Sequence, residues 1–117
     1  MNIYGSGRQT RTFCYVTDAI LGFLQILLYG LPGEPYNIGN PEPEISMLEL
    51  IETIKRTLPE LTVDYRVIEH PDTYPSDEPQ RRCPDITKAR LQVGYFPQVT
   101  LEDGLQRFFG WAKTAFA

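Results

Sequence analysis

The arginines are the side chains of this sequence whose chemistry most clearly suggests a function. Side chains suited to nucleophilic, redox or metal chemistry are few. His70 is the only histidine. No Ser, Cys or second metal ligand stands at a recognisable spacing from it, so we expect an exposed loop position. Cys14 and Cys83 are isolated thiols without Cys-x-x-Cys spacing, and both are expected to be free. The arginines therefore remain as the residues to consider.

Arg11 and the adjacent pair Arg81 and Arg82 have a chemistry suited to phosphate. A planar guanidinium presents parallel N–H donors that match phosphate oxygens. An isolated arginine is more often a solvated surface residue, so the residue type alone does not decide between the two interpretations. Acidic residues surround the pair without metal-ligand spacing, and no metal site is predicted. These acidic residues are Asp77, Glu78 and Asp85.

Two glycines near the N-terminus predict a tight turn. Gly5 and Gly7 stand among polar residues, which suits a backbone that approaches another group closely. The pair is too short for a dinucleotide-binding turn and is followed by Arg8 and Gln9. It also leads into a predicted strand instead of a helix. We therefore predict no dinucleotide site here.

In the first half of the chain, the sequence predicts short strands and one helix. The aromatic and β-branched residues 13–16 predict a strand. Thr17 or Asp18 is suited to cap a helix that runs to about Tyr29. Residues 35–39 predict a second short strand, which the prolines that follow should end.

In the middle of the chain, the helix signals are sharper. Ser46 and Glu49 fit a capping box, and apolar residues then recur at helical spacing, so a helix should span 47 to about 57. Residues 62–68 alternate and are rich in β-branched side chains, which predicts a strand.

The last third of the chain predicts two helices. Asp85 is suited to cap a short helix that Gly94 closes in the left-handed conformation, and Thr100 begins the final helix. The total is about four helices and three or four short strands in a single domain, 1–117. This is an α/β mixture with too little strand for a complete doubly wound sheet. The final helix has one apolar face, formed by Leu101, Leu105, Phe108, Phe109 and Ala112.

Composition indicates an ordinary globular protein. The 117 residues carry a formal charge of -4, with 42% hydrophobic and 22% charged residues. No basic field favours nucleic acid or an anionic membrane. The apolar stretch 19–31 is shorter than the roughly 20 residues that cross a bilayer, so it predicts a buried helix. No secretion signal is evident, and a cytoplasmic location is expected.

Five sequence blocks, in a consistent order, resemble the NAD-dependent sugar-nucleotide epimerase/dehydratase family of extended short-chain dehydrogenases/reductases. The pattern is most similar to UDP-glucuronate decarboxylases, then to dTDP-glucose dehydratases and UDP-sugar 4-epimerases. The resemblance implies the C-terminal substrate-binding portion of the family fold without its Rossmann dinucleotide-binding domain. The blocks are Tyr4–Asp18, Tyr36–Pro41, Ile45–Leu50, Arg81–Ala89 and Gly94–Pro97 with Leu101–Leu105.

The resemblance also implies what this sequence lacks. The family binds NAD on a Gly-x-x-Gly-x-x-Gly turn between a strand and a helix. It also uses a Tyr-x-x-x-Lys acid/base pair, and neither motif occurs in this sequence. NAD is therefore implied for the full-length family enzyme, whereas this chain is expected to bind no cofactor and to be inactive alone.

The family pattern implies roles for several side chains. Arg11 and Arg82 match the two arginines that reach the diphosphate of the nucleotide sugar. The equivalent of Arg82 in decarboxylase-like relatives also lies near the sugar, which makes Arg82 the catalytic candidate. Arg81 is expected to be solvated. Asp85 matches an acidic residue that accepts from ribose hydroxyls, although helix capping suits it equally.

Residues of the glycine turn complete the implied substrate site. Gln9 and Tyr4 flank the turn and would touch the base, with ordinary loop packing as the alternative. Gly5 and Gly7 would bring the backbone close to the ligand. Asn37 is expected to hydrogen-bond the backbone in preference to the ligand.

Three functions follow from these expectations. The first is a UDP-sugar-binding substrate domain of an NAD-dependent epimerase, dehydratase or decarboxylase, associated with a Rossmann domain. The second is a stand-alone nucleotide-sugar-binding or regulatory module, and the third a non-catalytic fragment that self-associates. Thr12, Thr17 and Cys83 depart from the usual family residues, which leaves the reaction open.

Overall fold

Four helices and five short strands form the chain in a computed structural model, which describes residues 1–69 and 78–116. The predicted α/β class is confirmed. His70 and Asp77 lie outside the described residues. The elements are β1 (Asn2–Tyr4), β2 (Thr10–Arg11), α1 (Val16–Tyr29), β3 (Ile45–Ser46), α2 (Met47–Thr57), β4 (Arg66–Ile68), β5 (Arg81–Arg82), α3 (Thr87–Val93) and α4 (Leu101–Ala115).

The strands form two small sheets. In the first, β1 pairs with β4 in parallel. In the second, β2 lies between an antiparallel β3 and a parallel β5, in the order β3-β2-β5. Neither is a doubly wound sheet, as the scarcity of strand residues predicted.

The helix boundaries with local sequence signals are confirmed. The Ser46 hydroxyl accepts from the Glu49 amide at 3.2 Å, and the Glu49 carboxylate accepts from the Ser46 amide at 2.8 Å, so the capping box of α2 is complete. Thr100 caps α4 by accepting from the Asp103 amide. Gly94 closes α3 with a φ of 71°. These signals act within a few residues, which is why sequence alone predicts them.

Two predicted strands are wrong. Residues 13–15 are extended without a ladder partner, and α1 begins directly after them at Val16. Residues 35–39 also form no strand in the part of the chain that the structure describes. Aromatic and β-branched residues favour a strand only where a neighbouring backbone offers hydrogen bonds, and no described strand pairs with these segments.

Asp18 does not cap α1. Its carboxylate is buried and accepts from the backbone amides of Gln98 and Val99, at 3.0 and 2.8 Å. Tyr15 takes the cap position without a side-chain hydrogen bond. Asp18 therefore joins α1 to the loop that precedes α4, a contact across 80 residues that no local pattern predicts.

One cluster of the core lies between α1 and α3. Its buried residues are Ile86, Ala89, Val93 and Tyr95, with Ile26, Tyr36 and Ile38 packed against them. Gly22 of α1 allows this contact, because a Cβ there would lie 2.8 Å from the Tyr95 ring and 2.9 Å from Ile38. Asp18 and Gly22 are the two buried residues of α1.

The prediction that α1 is a buried helix is wrong for this chain. One narrow stripe of α1 meets the core, and the rest of its apolar surface is open to solvent. Each exposed side chain is nearly half exposed or more, so α1 presents many apolar side chains to solvent. No helix among the described residues has the length and apolar character needed to span a membrane. The exposed side chains are Val16, Ile20, Leu21, Phe23, Leu24, Leu27, Leu28, Tyr29 and Leu31.

Tyr95 makes the stability of the fold depend on pH. Its ring is fully buried and its hydroxyl donates to the Gly39 carbonyl at 3.0 Å. Burial raises the pKa of the Tyr95 phenol above its usual range, and the Cys14 thiol 3.6 Å away adds to the rise. An ordinary tyrosine loses its proton near pH 10. Above that pH the folded chain keeps a proton that the unfolded chain releases, so stability falls as pH rises.

We expect Tyr95→Phe to lower the free energy of unfolding by about 1 to 3 kcal/mol at pH 7, because the Gly39 carbonyl loses its donor. This deficit should shrink above pH 10 by about 1.4 kcal/mol per pH unit, because only the wild type carries the titrating phenol. Urea unfolding at pH 7 and pH 11 measures both values. Tyr29→Phe, which removes an exposed hydroxyl, is the control. An equal deficit at the two pH values would contradict the argument.

Candidate functional site

The register of the second sheet places Arg11 beside Arg82. In the parallel pair of β2 and β5, Arg11 is the Cα partner of Arg82, and Thr10 is the partner of Arg81. Partnered residues of neighbouring strands project to the same face of a sheet. Two arginines separated by 71 positions in the chain therefore share one face and form a candidate anion site.

These two arginines line one open cavity of about 640 Å³, here called the arginine cavity. Asn37 and Asp85 lie in the same cavity wall. The structure thus brings together three of the residues predicted for substrate binding: Arg11, Arg82 and Asp85. Both cysteines, which are free as predicted, also line it.

Arg11 is mostly shielded from solvent, at 15% side-chain exposure. Its Nη1 donates to the carbonyls of Thr10 at 2.8 Å and Gln80 at 3.4 Å. Its Nη2 forms an ion pair with the Glu78 carboxylate at 2.6 Å. The guanidinium is therefore held by acceptors of the chain itself.

Arg82 differs from Arg11 in its surroundings. It is exposed, and its guanidinium has no hydrogen bond or ion pair with residues 1–69 or 78–116. Its donors are available to an anion in the arginine cavity. The pair thus combines one anchored guanidinium with one that is open to solvent.

Arg81 precedes Arg82 on β5 and also lines the arginine cavity. The expectation that Arg81 is solvated is wrong in one respect. Its side chain is exposed, yet it forms a two-point ion pair with Glu44, at 2.7 to 3.0 Å. The Thr10 hydroxyl donates to the same carboxylate. These bonds, from Arg81 first and Thr10 second, lower the pKa of Glu44 below its usual range. Glu44 therefore connects β2 and β5 through the side chains of Thr10 and Arg81, and Arg81 also lines the arginine cavity.

Asp85 and Asn37 are both engaged with the backbone. The Asp85 carboxylate accepts from the Thr87 amide at 2.9 Å, and bonds with Thr87 lower the pKa of Asp85. Ile86 takes the N-cap position of α3, so Asp85 acts one residue before the cap instead of at it. The Asn37 amide donates to the Asp85 carbonyl at 3.0 Å, as predicted for a backbone contact. Asp85 is exposed and has acceptor capacity left for a hydroxyl.

The glycine turn is held by the protein itself. Gly5 and Gly7 have φ of 70° and 69°. The Gly5 amide donates to the Ile68 carbonyl, and the Gly7 carbonyl accepts from the Leu48 amide. A Cβ on Gly7 would lie 3.0 Å from the Leu48 side chain. The predicted close approach of the backbone is present, and it is made to α2 and β4.

Gln9 and Tyr4 line a second cavity of about 330 Å³, here called the turn cavity. The Gln9 amide donates to the Tyr4 carbonyl at 3.1 Å, so it closes the turn. Arg11 lines both the turn cavity and the arginine cavity, whereas Glu78 lines the turn cavity. The two predicted substrate regions therefore meet at Arg11.

A third cavity, of about 440 Å³, is almost entirely apolar. It lies between the start of α1, α2 and α4, and Val16 and Phe108 at its edge are exposed. The final helix thus buries only part of its predicted apolar face. No group of His, Cys, Asp or Glu suited to a metal occurs within the described residues.

Sequence reasoning missed Glu44 and Glu78 as parts of the site. Their partners lie 34 to 67 residues away in the chain, and a carboxylate in a loop carries no periodic signal. The cluster of acidic residues around Arg81 and Arg82 is the one signal in the sequence that points to Glu78, as an ion-pair partner for an arginine instead of a metal ligand.

No family profile matches this chain. Two solved structures with a similar fold are named for nucleotide-sugar substrates. UDP-glucuronic acid 4-epimerase from Bacillus cereus, in complex with UDP-glucuronic acid and NAD, is 30% identical with a TM-score of 0.82, over 97% of this chain and 35% of its own. dTDP-glucose 4,6-dehydratase from Bacillus anthracis, in complex with NAD, is 26% identical with a TM-score of 0.81, over 97% and 34%.

Similar sequences with an assigned activity are UDP-glucuronic acid decarboxylases. Decarboxylase 1 of Arabidopsis thaliana is 40% identical over 108 residues, which is 92% of this chain and 23% of the relative. Decarboxylase 1 of Danio rerio is 39% identical over 92% of this chain and 24% of the relative. The chain thus spans about a quarter of the length of these relatives. It belongs to the extended short-chain dehydrogenase/reductase family of NAD-dependent sugar-nucleotide epimerases and dehydratases, of which it represents a segment.

Proposed function

We propose that this chain binds the UDP part of a nucleotide sugar and holds the diphosphate between Arg11 and Arg82. The observation that carries the proposal is the pairing of β2 with β5, which sets the two guanidinium-bearing residues side by side in one cavity. A diphosphate carries several anionic oxygens that accept charge-assisted bonds from such donors. The relatives with UDP sugars in their names support UDP as the nucleotide.

The other contacts follow from the position of the diphosphate. Asp85, in the wall of the arginine cavity, accepts from ribose hydroxyls. Tyr4 and Gln9, in the turn cavity on the other side of Arg11, contact the base. Arg82 is more exposed than Arg11 and reaches the sugar side, where it orients the reacting sugar. The contribution of this chain to catalysis is positioning.

The glycine turn, as the described residues form it, does not fit NAD. A dinucleotide turn needs amide donors at a helix N-terminus. The Gly5 and Gly7 turn instead leads toward β2, and Leu48 and Ile3 fill the space beside Gly7. In the proposed enzyme NAD is bound by the dinucleotide-binding domain of the family, and this chain alone is inactive.

The exposed apolar surface supports association with such a domain. Most of α1 has the composition of a core helix, yet it is exposed in this chain. The apolar cavity beside α4 is open in the same way. We propose that the dinucleotide-binding domain covers these surfaces. Self-association of the segment through α1 is the competing arrangement, and it would leave the arginine cavity in place.

Titration calorimetry with UDP and UDP-glucuronate tests the binding site. We expect Arg11→Ala and Arg82→Ala each to weaken UDP affinity by about 1.5 to 3 kcal/mol, because each removes charge-assisted bonds to the diphosphate. Arg66→Ala, on β4 and away from the arginine cavity, removes the same charge and is the control. Absence of heat at millimolar UDP for the wild type, or unchanged affinity in both variants, would contradict the proposal.

A further inference from the structure

Glu78 is the anionic partner of Arg11 within the chain. Its Oε1 lies 2.6 Å from Arg11 Nη2, a short distance typical of charge-assisted hydrogen bonds. The two side chains are 15% and 27% exposed, so solvent screens their attraction less than at a fully exposed ion pair. The guanidinium of Arg11 therefore has an anionic partner supplied by the chain itself.

Three of the N–H donors of Arg11 face acceptors of the chain. A guanidinium has five N–H donors. Both donors of Nη1 face carbonyls, of Thr10 and Gln80, and one donor of Nη2 faces Glu78. A diphosphate held by Arg11 must either displace the carboxylate or lie next to it, and two anions at one guanidinium repel each other.

We propose that Glu78 is an internal competitor for Arg11 that lowers the affinity of the site for a nucleotide diphosphate and facilitates its release. This inference rests on the proposed function and adds a regulatory contact to it. Displacement of Glu78 frees the Nη2 donor that faces it, while Thr10 and Gln80 still hold Nη1. Binding of the diphosphate is then an exchange of one anion for another at the same guanidinium.

Glu78→Gln tests the competition, because the amide keeps the size of the side chain and removes its charge. We expect UDP affinity to rise about tenfold, since a charge-assisted bond is replaced by a neutral one that the diphosphate displaces more easily. Glu69→Gln makes the same charge change at an exposed position outside the cavities, and its UDP affinity should stay within twofold of the wild type. Glu78→Ala, which removes the carboxylate altogether, should also tighten binding.

A double-mutant cycle with Arg11→Ala separates competition from a general charge effect. In the Arg11→Ala background, Glu78→Gln should change UDP affinity less than twofold, because the competed donor is gone. If the wild type binds UDP and Glu78→Gln binds it equally or more weakly, the competition is refuted while the proposed function stands. If neither protein binds UDP, both are refuted. Binding by Glu78→Gln alone supports both.

Discussion

Replacing Asp18 by alanine is expected to lower the free energy of unfolding by about 3 to 5 kcal/mol, the largest single-residue effect on stability that we foresee. The carboxylate is buried and accepts two backbone hydrogen bonds, from Gln98 and Val99. Hydrogen bonds to a charged acceptor contribute about 1.5 to 3 kcal/mol each. Without the carboxylate both amides lose their acceptor, and the Val99 amide is buried. Such a loss is a large part of the stability of a small domain.

Asp18→Asn is the matched control for this variant. Both amides donate to the same oxygen, Oδ2, and an asparagine oxygen in its place accepts from both. We therefore expect Asp18→Asn to cost about 1 kcal/mol, the difference between charged and neutral acceptors. Urea unfolding followed by circular dichroism measures the three proteins. A cost of Asp18→Ala no greater than that of Asp18→Asn would show that the two hydrogen bonds contribute little.

Removing both Arg11 and Arg82 is expected to have the largest effect on ligand binding. If the two guanidinium groups hold one diphosphate, the double alanine variant should lose about 3 to 5 kcal/mol of UDP binding free energy. The sum is not strictly additive, because the two residues are neighbours on one sheet face and share the ligand. Calorimetry should then detect no UDP binding at concentrations that saturate the wild type.

Charge and fold both need controls in that experiment. Arg66→Ala combined with Arg56→Ala removes two positive charges from exposed positions outside the arginine cavity and should bind UDP as the wild type does. Thermal unfolding shows whether the double variant is folded, which needs checking because Arg11 is only 15% exposed and is paired with Glu78. Retained UDP binding by a folded Arg11→Ala, Arg82→Ala protein would place the nucleotide elsewhere.

The sequence predicts those parts of the fold that depend on neighbouring residues. Ser46 and Glu49 fix the start of α2, and Gly94 fixes the end of α3, because both devices act within one helical turn. The prediction of a strand at 13–16 is wrong because a strand needs a partner backbone from a distant part of the chain, which local sequence does not reveal. Asp18 was assigned to a local cap because its real partners lie 80 positions away.

The candidate site likewise combines features that the sequence predicts with features that depend on long-range contacts. Arg11 and Arg82 were identified through resemblance to a family, and their adjacency depends on a pairing that sequence spacing does not show. The burial of α1 was predicted from its composition, which suits a larger fold than this segment contains. The role of Glu78 is not predicted by the sequence, because its ion pair joins it to Arg11, 67 positions away in the chain.

The ion pair of Arg81 with Glu44 has a consequence for the position of Arg11 relative to Arg82. β2 and β5 are only two residues long, so few ladder hydrogen bonds set their alignment. Glu44 binds Thr10 and Arg81 together, and these are the residues that precede Arg11 and Arg82. A slip of one residue would break this bridge and turn Arg82 to the wrong side. Glu44 thus supports the register of β2 against β5, and with it the adjacency of Arg11 and Arg82, through side chains that the backbone ladder does not include.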